Sequence, residues 1–182
     1  MGPMTVTLGA LTGLSVTDHP ELLGEPVAAV LAGWPHAGDA GVAEIDPELA
    51  DTAACSEAYD LPLAAGANCV VVSGRRGGEE RVAACVVPAH RRADVNNLVK
   101  RLLDVRKASF LSMDRAVEES GMEYGGITPI GLPAGWRVLV DRSLLDVDVV
   151  IIGSGVRRSK ILLPGRLLAE LPGAEVVSDL GG

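Results

Sequence analysis

The chain has 182 residues, 48% of them hydrophobic, with a formal net charge of −8 and a mean hydropathy of +0.29. That is enough to bury one sizeable core and too little to need two, so a single domain is expected, while the acidity argues against tight nonspecific binding to duplex nucleic acid. No apolar run approaches the roughly 18 to 20 residues of a membrane span, and the opening residues lack the basic region of a signal peptide, so no membrane partner and a cytoplasmic address are expected.

Met1-Gly-Pro-Met4 and the Gly/Thr-containing stretch behind it show no helical period and read as loose chain or an edge strand. Asp18-His-Pro20 offers a helix start. Leu22, Leu23, Val27, Val30, Leu31 and Trp34 then recur at three- and four-residue steps until Gly33, Pro35 and Gly38 end the helix. Val42 to Ile45 reads as a short strand, followed by a helix ending near Tyr59, with Asp46-Pro47 and Thr52 as equally good caps. After the turn at Asp60-Leu-Pro62 come two β-branched runs, Asn68 to Val72 and Arg81 to Val87, joined by the hairpin loop Ser73 to Gly78 and closed by Pro88. Asp94 caps an amphipathic helix with Val95, Leu98, Val99, Leu102 and Leu103 on one face. Asp114 caps a short helix through Ser120, and Gly121 is placed to terminate it.

Gly121-Met-Glu-Tyr-Gly125-Gly126-Ile-Thr128-Pro129-Ile-Gly131-Leu-Pro133 follows, a density of glycine and proline that only a shaped loop tolerates. Beyond it, Arg137 to Val140 and Val147 to Ile152 are buried-strand runs, Gly153-Ser-Gly155 turns the chain, Lys160 to Leu163 adds a strand, Pro164 to Leu171 a last helix and Ala174 to Val177 a closing strand. Helices and strands mix without regular alternation. The expected fold is therefore α/β (α+β): a single domain around a mixed, curved β-sheet or partial barrel flanked by helices, rather than a doubly wound sheet.

Charge is uneven. Residues 1 to 72 hold ten acids and no Lys or Arg, whereas the remainder holds all 16 basic residues against 14 acids. A solvated acidic side is one reading. A basic face that meets phosphates, built from Arg75-Arg76, Arg91-Arg92, Lys100-Arg101, Arg106-Lys107 and Arg157-Arg158-Lys160, is the other. Cys55, Cys69 and Cys85 are odd in number without CxxC spacing, and His19, His36 and His90 are scattered, so neither a disulfide frame nor a metal site is expected. Gly153-x-Gly155 followed by Lys160 lacks the Gly-Lys-Ser/Thr order of a P-loop, and no cofactor is expected.

Leu61-Pro62-Leu63, Asn68-Cys-Val-Val-Val72, the helix from Asp94, the loop GMEYGGITPIGLP, Val138-Leu-Val-Asp141 and Ile152-Gly-Ser-Gly155-Val-Arg157 together resemble the YbaK/ProX aminoacyl-tRNA deacylase family, the editing domains associated with prolyl-tRNA synthetase. The G-x-x-x-G-G-I-[ST]-P-x-G signature is met at Gly121, Gly125, Gly126, Ile127, Thr128, Pro129 and Gly131. The resemblance implies a YbaK-like domain over 42–182, with residues 1–41 as an N-terminal segment and helix packed on it. It implies hydrolysis of the ester joining a wrong amino acid to tRNA, typically proline tRNA carrying alanine or cysteine. The implied partners are the aminoacylated 3′ end of tRNA and, further, prolyl-tRNA synthetase.

Ester hydrolysis needs donors for an oxyanion, a positioned water and a cavity that measures the amino acid. Gly125 and Gly126 let backbone N–H groups approach a substrate, Thr128 can bond the substrate or its own backbone, and Pro129 stiffens the loop. Asp141 either holds an ammonium or orders a water, or else caps Arg142 to Leu145. Arg157, beside Gly155, either grips a phosphate bidentately or lies at the surface. The candidate catalytic set is thus Asn68, Gly125, Gly126, Thr128 and Asp141, with Thr52, Pro129, Gly155 and Arg157 as substrate-binding positions. Asn68 departs from the resemblance, which implies a lysine there. It offers neutral donors and no charge, although a ribose hydroxyl can assist hydrolysis without a protein base and Lys160 or Lys107 can bring the charge from elsewhere. Two functions follow: a trans-editing deacylase, or a weak or inactive homologue that binds an aminoacyl-tRNA end or a small aminoacyl-like ligand as a regulator.

Overall fold

A computed structural model describes residues 6–181; Met1-Gly-Pro-Met4 lies outside the described residues. Among the described residues, ten strands form two five-stranded sheets. The first contains β1 (Val6–Leu8), β2 (Leu11–Ser15), β3 (Gly41–Glu44), β9 (Ser159–Leu163) and β8 (Val150–Gly153), in that order and antiparallel throughout. The second runs β10 (Ala174–Val177), β7 (Arg137–Asp141), β5 (Glu79–Pro88), β4 (Ala67–Arg76) and β6 (Ala108–Phe110), with β10–β7 and β7–β5 parallel. A parallel bridge between Gly66 and Ile151 ties the start of β4 to β8. The sheets thereby curl toward each other as a half-barrel, the mixed, curved α/β architecture expected from the sequence.

The helices are few and short: α1 (Glu25–Leu31), α2 (Thr52–Ala58), α3 (Lys100–Leu103, entered through a π-turn over Val95–Val99) and α4 (Met113–Ser120). The helix expected from Asp18 is broken. Pro20–Leu22 is a 3-10 turn, and α1 begins only after Gly24, whose N–H donates to the Ser154 carbonyl at 2.9 Å. Asp51 caps α2 by accepting from the Ala53 and Ala54 amides, and Ser112, not Asp114, caps α4. The expected last helix is a 3-10 stretch, Gly165–Glu170. β6 was not expected. It borders β4 where Gly74 approaches Val105 and Lys107, a contact with no signature in residue type.

The main core lies between the sheets and gathers Val27, Leu31 and Trp34 from α1 and its exit, Val140 from β7 and Ile161 and Leu163 from β9. Because strand side chains alternate between faces, Leu162 points to the other side of β9, where it packs with Ala43, Ile151, Cys55 and Leu61 beneath α2. Lys160 shares the parity of Leu162. This places a lysine under α2, in a strand whose five residues are all buried.

Candidate functional site

Between α2, the open end of the first sheet and the start of β4 lies a cavity of about 460 Å³, within the range of small-molecule sites. α2 and its approach contribute Glu48, Asp51, Cys55 and Ser56; β4 contributes Asn68; the glycine loop contributes Tyr124, Gly125 and Ile127; the turn into β9 contributes Arg157 and β9 itself Lys160. Strand propensity explains β4, a run of β-branched residues that opens with one polar side chain.

Lys160 is 8% exposed. Its ammonium has three donors, yet the hydrogen bond it makes is to the Gly125 carbonyl at 3.5 Å. Among the described residues no carboxylate lies within ion-pair distance of it. Burial pushes its pKa below the ordinary lysine value; Cys55 opposes this, Arg157 adds to it to a lesser degree, and Asp51 opposes it least. Burial likewise raises the Cys55 thiol, partly countered by Lys160.

The glycine loop and the turn 153–159 meet backbone to backbone. A Cβ at Gly126 would stand 2.8 Å from the Val156 amide nitrogen and carbonyl oxygen, and one at Gly153 would stand 2.7 Å from the Gly126 and Ile127 carbonyls, so neither position admits a side chain without displacing main chain. The Gly155 amide donates to the Gly126 carbonyl at 2.7 Å. Gly155, at φ +90°, also packs against Gly24: a Cβ added at Gly155 would stand 3.0 Å from the Gly24 Cα. The buried hydroxyls of Ser154 and Ser159 lie 2.7 Å apart, and Ser159 donates to the Leu22 carbonyl. The Arg157 guanidinium donates to the Tyr124 carbonyl at 3.0 Å and the Pro47 carbonyl at 2.9 Å, and its backbone amide donates to Glu123 Oε1 at 2.8 Å. Its Cζ stands 5.7 Å from the centre of the exposed Tyr124 ring.

Of the residues singled out from the sequence, Asn68, Gly125, Arg157 and Lys160 meet at this cavity, whose wall does not include Lys107. Gly126 and Gly155 stand behind the wall, with Gly126 approaching Val156 rather than open space. Thr128 is fully buried and its hydroxyl has no hydrogen-bond partner among the described residues. Pro129 borders a separate cavity of about 280 Å³ with Leu132 and Trp136. Asp141 is 2% exposed and outside the cavity wall; it accepts from the Ser143 amide as a helix cap and from the Gly181 amide. Thr52 opens α2, and its side chain lies outside the described residues. Sequence reasoning missed Asp51, Cys55, Ser56 and Tyr124 as wall residues, and nothing in their spacing marks them. For Lys160 a signal existed: a lysine embedded in Ser-Lys-Ile-Leu-Leu, a run otherwise fit for a buried strand.

Comparison with known proteins bears on this site. Over 88 residues the chain is 33% identical to the uncharacterized protein YwhH of Bacillus subtilis (strain 168); the match covers 48% of this chain and 56% of that protein's length. A solved structure described as a candidate trans-editing enzyme for prolyl tRNA synthetase superposes with a TM-score of 0.71 at 20% identity, covering 85% of this chain and 94% of that one. The structure of the hypothetical protein APE2540 gives a TM-score of 0.69 at 23% identity, covering 79% and 91% respectively. At such identities these two speak for the fold. The sequence pattern of the aminoacyl-tRNA editing domain matches residues 46–171, a span containing every residue named on the cavity wall, and the chain therefore belongs to the aminoacyl-tRNA editing domain family.

Proposed function

We propose that the chain is a trans-editing deacylase that hydrolyses the ester of a mischarged tRNA, with proline tRNA carrying alanine or cysteine as the first substrate to test. The observation that carries this reading is the placement of the cavity inside the family-matched span, with the signature glycine loop on one side and Asn68 on another. The likeness to a solved structure described as a candidate trans-editing enzyme for prolyl tRNA synthetase supports the choice of tRNA and makes that synthetase the partner to examine.

In this reading the aminoacyl group enters beside Asn68 and Gly125, and water adds to the ester carbonyl. The carbonyl oxygen takes up negative charge, and the bond to the ribose oxygen then breaks, with the leaving oxygen taking a proton. Asn68 orients the carbonyl or the water through neutral hydrogen bonds, and the neighbouring ribose hydroxyl serves where a protein base is lacking. The exposed Tyr124 ring, braced by Arg157, offers the terminal adenine a stacking surface at the mouth. Release of amino acid from alanyl-, cysteinyl- and seryl-tRNA tests the activity; no release above background from any of them by folded protein would end this reading. Tyr124→Ala should raise KM about tenfold and Tyr124→Phe should leave it unchanged, as expected when stacking of one base is lost.

The neutral Asn68 favours a second reading, in which the chain binds an aminoacyl-tRNA end without cleaving it. Tight binding of a non-hydrolysable aminoacyl-adenosine amide together with absent turnover would decide for it.

A further inference from the structure

We propose that Lys160, reaching the cavity from β9, supplies the positive charge that polarises the ester carbonyl, a charge that Asn68 on β4 cannot provide. The proposal rests on the editing reading and adds the group that makes the reaction run in this chain. Three observations converge on it. Lys160 is buried on the cavity wall with an incompletely satisfied ammonium, a costly state for a side chain that contributes nothing but packing. Arg157, the other cation on the wall, already has its guanidinium engaged by the Tyr124 and Pro47 carbonyls. The acceptor that Lys160 does have, the Gly125 carbonyl, belongs to the signature loop, which aims the ammonium at the same end of the cavity as the loop itself.

The chemistry balances without an added reagent. As water adds to the carbonyl carbon, the C=O π pair moves onto oxygen, and the Lys160 ammonium donates a hydrogen bond to the developing oxyanion. Collapse of the adduct re-forms the carbonyl and expels the ribose oxygen, which takes up the proton lost by the attacking water, relayed through the neighbouring ribose hydroxyl. Lys160 remains an ammonium throughout and gives up no proton. Gly125 accepts from it, Cys55, Arg157 and Asp51 act on its charge, and Glu48, Tyr124, Asn68 and Cys69 share the cavity wall with it. Because the charged form is required and burial lowers the lysine's pKa, the enzyme-catalysed rate should decline with rising pH sooner than an ordinary lysine would dictate.

The test compares deacylation by the full chain with that by Lys160→Met, Lys160→Gln and the double variant Asn68→Lys/Lys160→Met, with melting curves for each. Loss of one charged oxyanion donor should lower kcat by about 10²- to 10³-fold with KM little changed. Both single variants should melt at or above the parent temperature, since a poorly paired buried charge is removed. Returning the charge from β4 in the double variant should restore at least about tenfold of the lost rate. Folded single variants whose kcat stays within about threefold of the parent would overturn the assignment while leaving the editing reading intact. A parent protein inactive on every mischarged tRNA would bring down the editing reading and this assignment with it.

Discussion

The outer margin of the second sheet and the cavity under α2 handle positive charge in opposite ways. At the margin, Arg115 pairs with Glu80 at 2.6 Å and with Glu119 at 2.8 Å, Arg137 pairs with Glu175 at 2.7 Å, and Arg76 and Arg81 converge on Asp104. Of the basic face expected from the sequence, Arg75 and Arg76 are paired with carboxylates in this way among the described residues; Arg81, Arg115 and Arg137 were not part of it. In the cavity, Lys160 has a backbone carbonyl at 3.5 Å and no ion-pair partner among the described residues. Exposed pairs cost little to form and contribute little, so they shape the sheet edge cheaply. A buried cation without a counter-charge is expensive, and its retention points to a ligand.

The largest expected effect comes from disturbing what holds the two walls in register. Gly126→Ala forces a methyl against the Val156 backbone and should cost about 3 kcal/mol of stability by urea denaturation. The displaced loop would also withdraw the Gly125 carbonyl from Lys160 and leave the lysine barer still.

Lys160→Met should act in the opposite direction and raise the unfolding free energy by about 1 kcal/mol. The pH dependence sharpens this. With the folded-state pKa lowered, the unfolded chain binds more protons than the folded one between that value and the ordinary lysine value. The Lys160 contribution therefore makes stability climb with pH across this window. Raised cysteine pKa values, that of Cys85 reaching about 12, tilt the same window the other way. The readout is accordingly the pH slope of the unfolding free energy in the parent minus that in the Met variant, which should be positive. A zero or negative difference would mean that Lys160 is comfortably solvated, and the contrast with the margin would dissolve.

The smallest effect belongs to the margin itself. Glu175→Gln breaks the pair with Arg137, both half exposed, and should cost less than about 1 kcal/mol. Arg137 holds the Glu175 carboxyl below its usual range, so this contribution is present at neutral pH and fades as pH falls through the carboxylate's lowered pKa. A loss several times larger in chemical denaturation would show that the margin carries structural weight that the comparison denies it.

Residue pattern made most of the fold legible. β4 and β5 stand where the β-branched runs placed them, and the capping chemistry at Asp94 and the terminator at Gly121 took their expected forms. What escaped depended on contacts between distant segments. Nothing local in the Leu22 to Trp34 pattern shows that Gly24 must dock on the Ser154–Gly155 turn and break the helix. The site divided in the same way. Asn68, Gly125 and Arg157 were readable as unusual residues in recognisable surroundings, whereas Asp51, Cys55 and Tyr124 became wall residues only once α2 lay across β9. Asp141 looked reactive because carboxylates at strand ends often are. Here its lone pairs are occupied by the Ser143 and Gly181 amides.

The docking of Gly24 on Gly155 also bears on how the protein can be cut. The family-matched span starts at residue 46, yet β2 pairs with β3 and the Gly24 amide seals the Ser154 carbonyl. A truncation at the family boundary would strip two strands and β3 from the sheet, leaving β9 as a raw edge open to pairing with other chains. It would also unclamp the turn that carries Arg157 toward Lys160. Residues 6–45 thus behave as a built-in splint, and the smallest unit that keeps this cavity in shape is larger than the domain defined by sequence pattern alone.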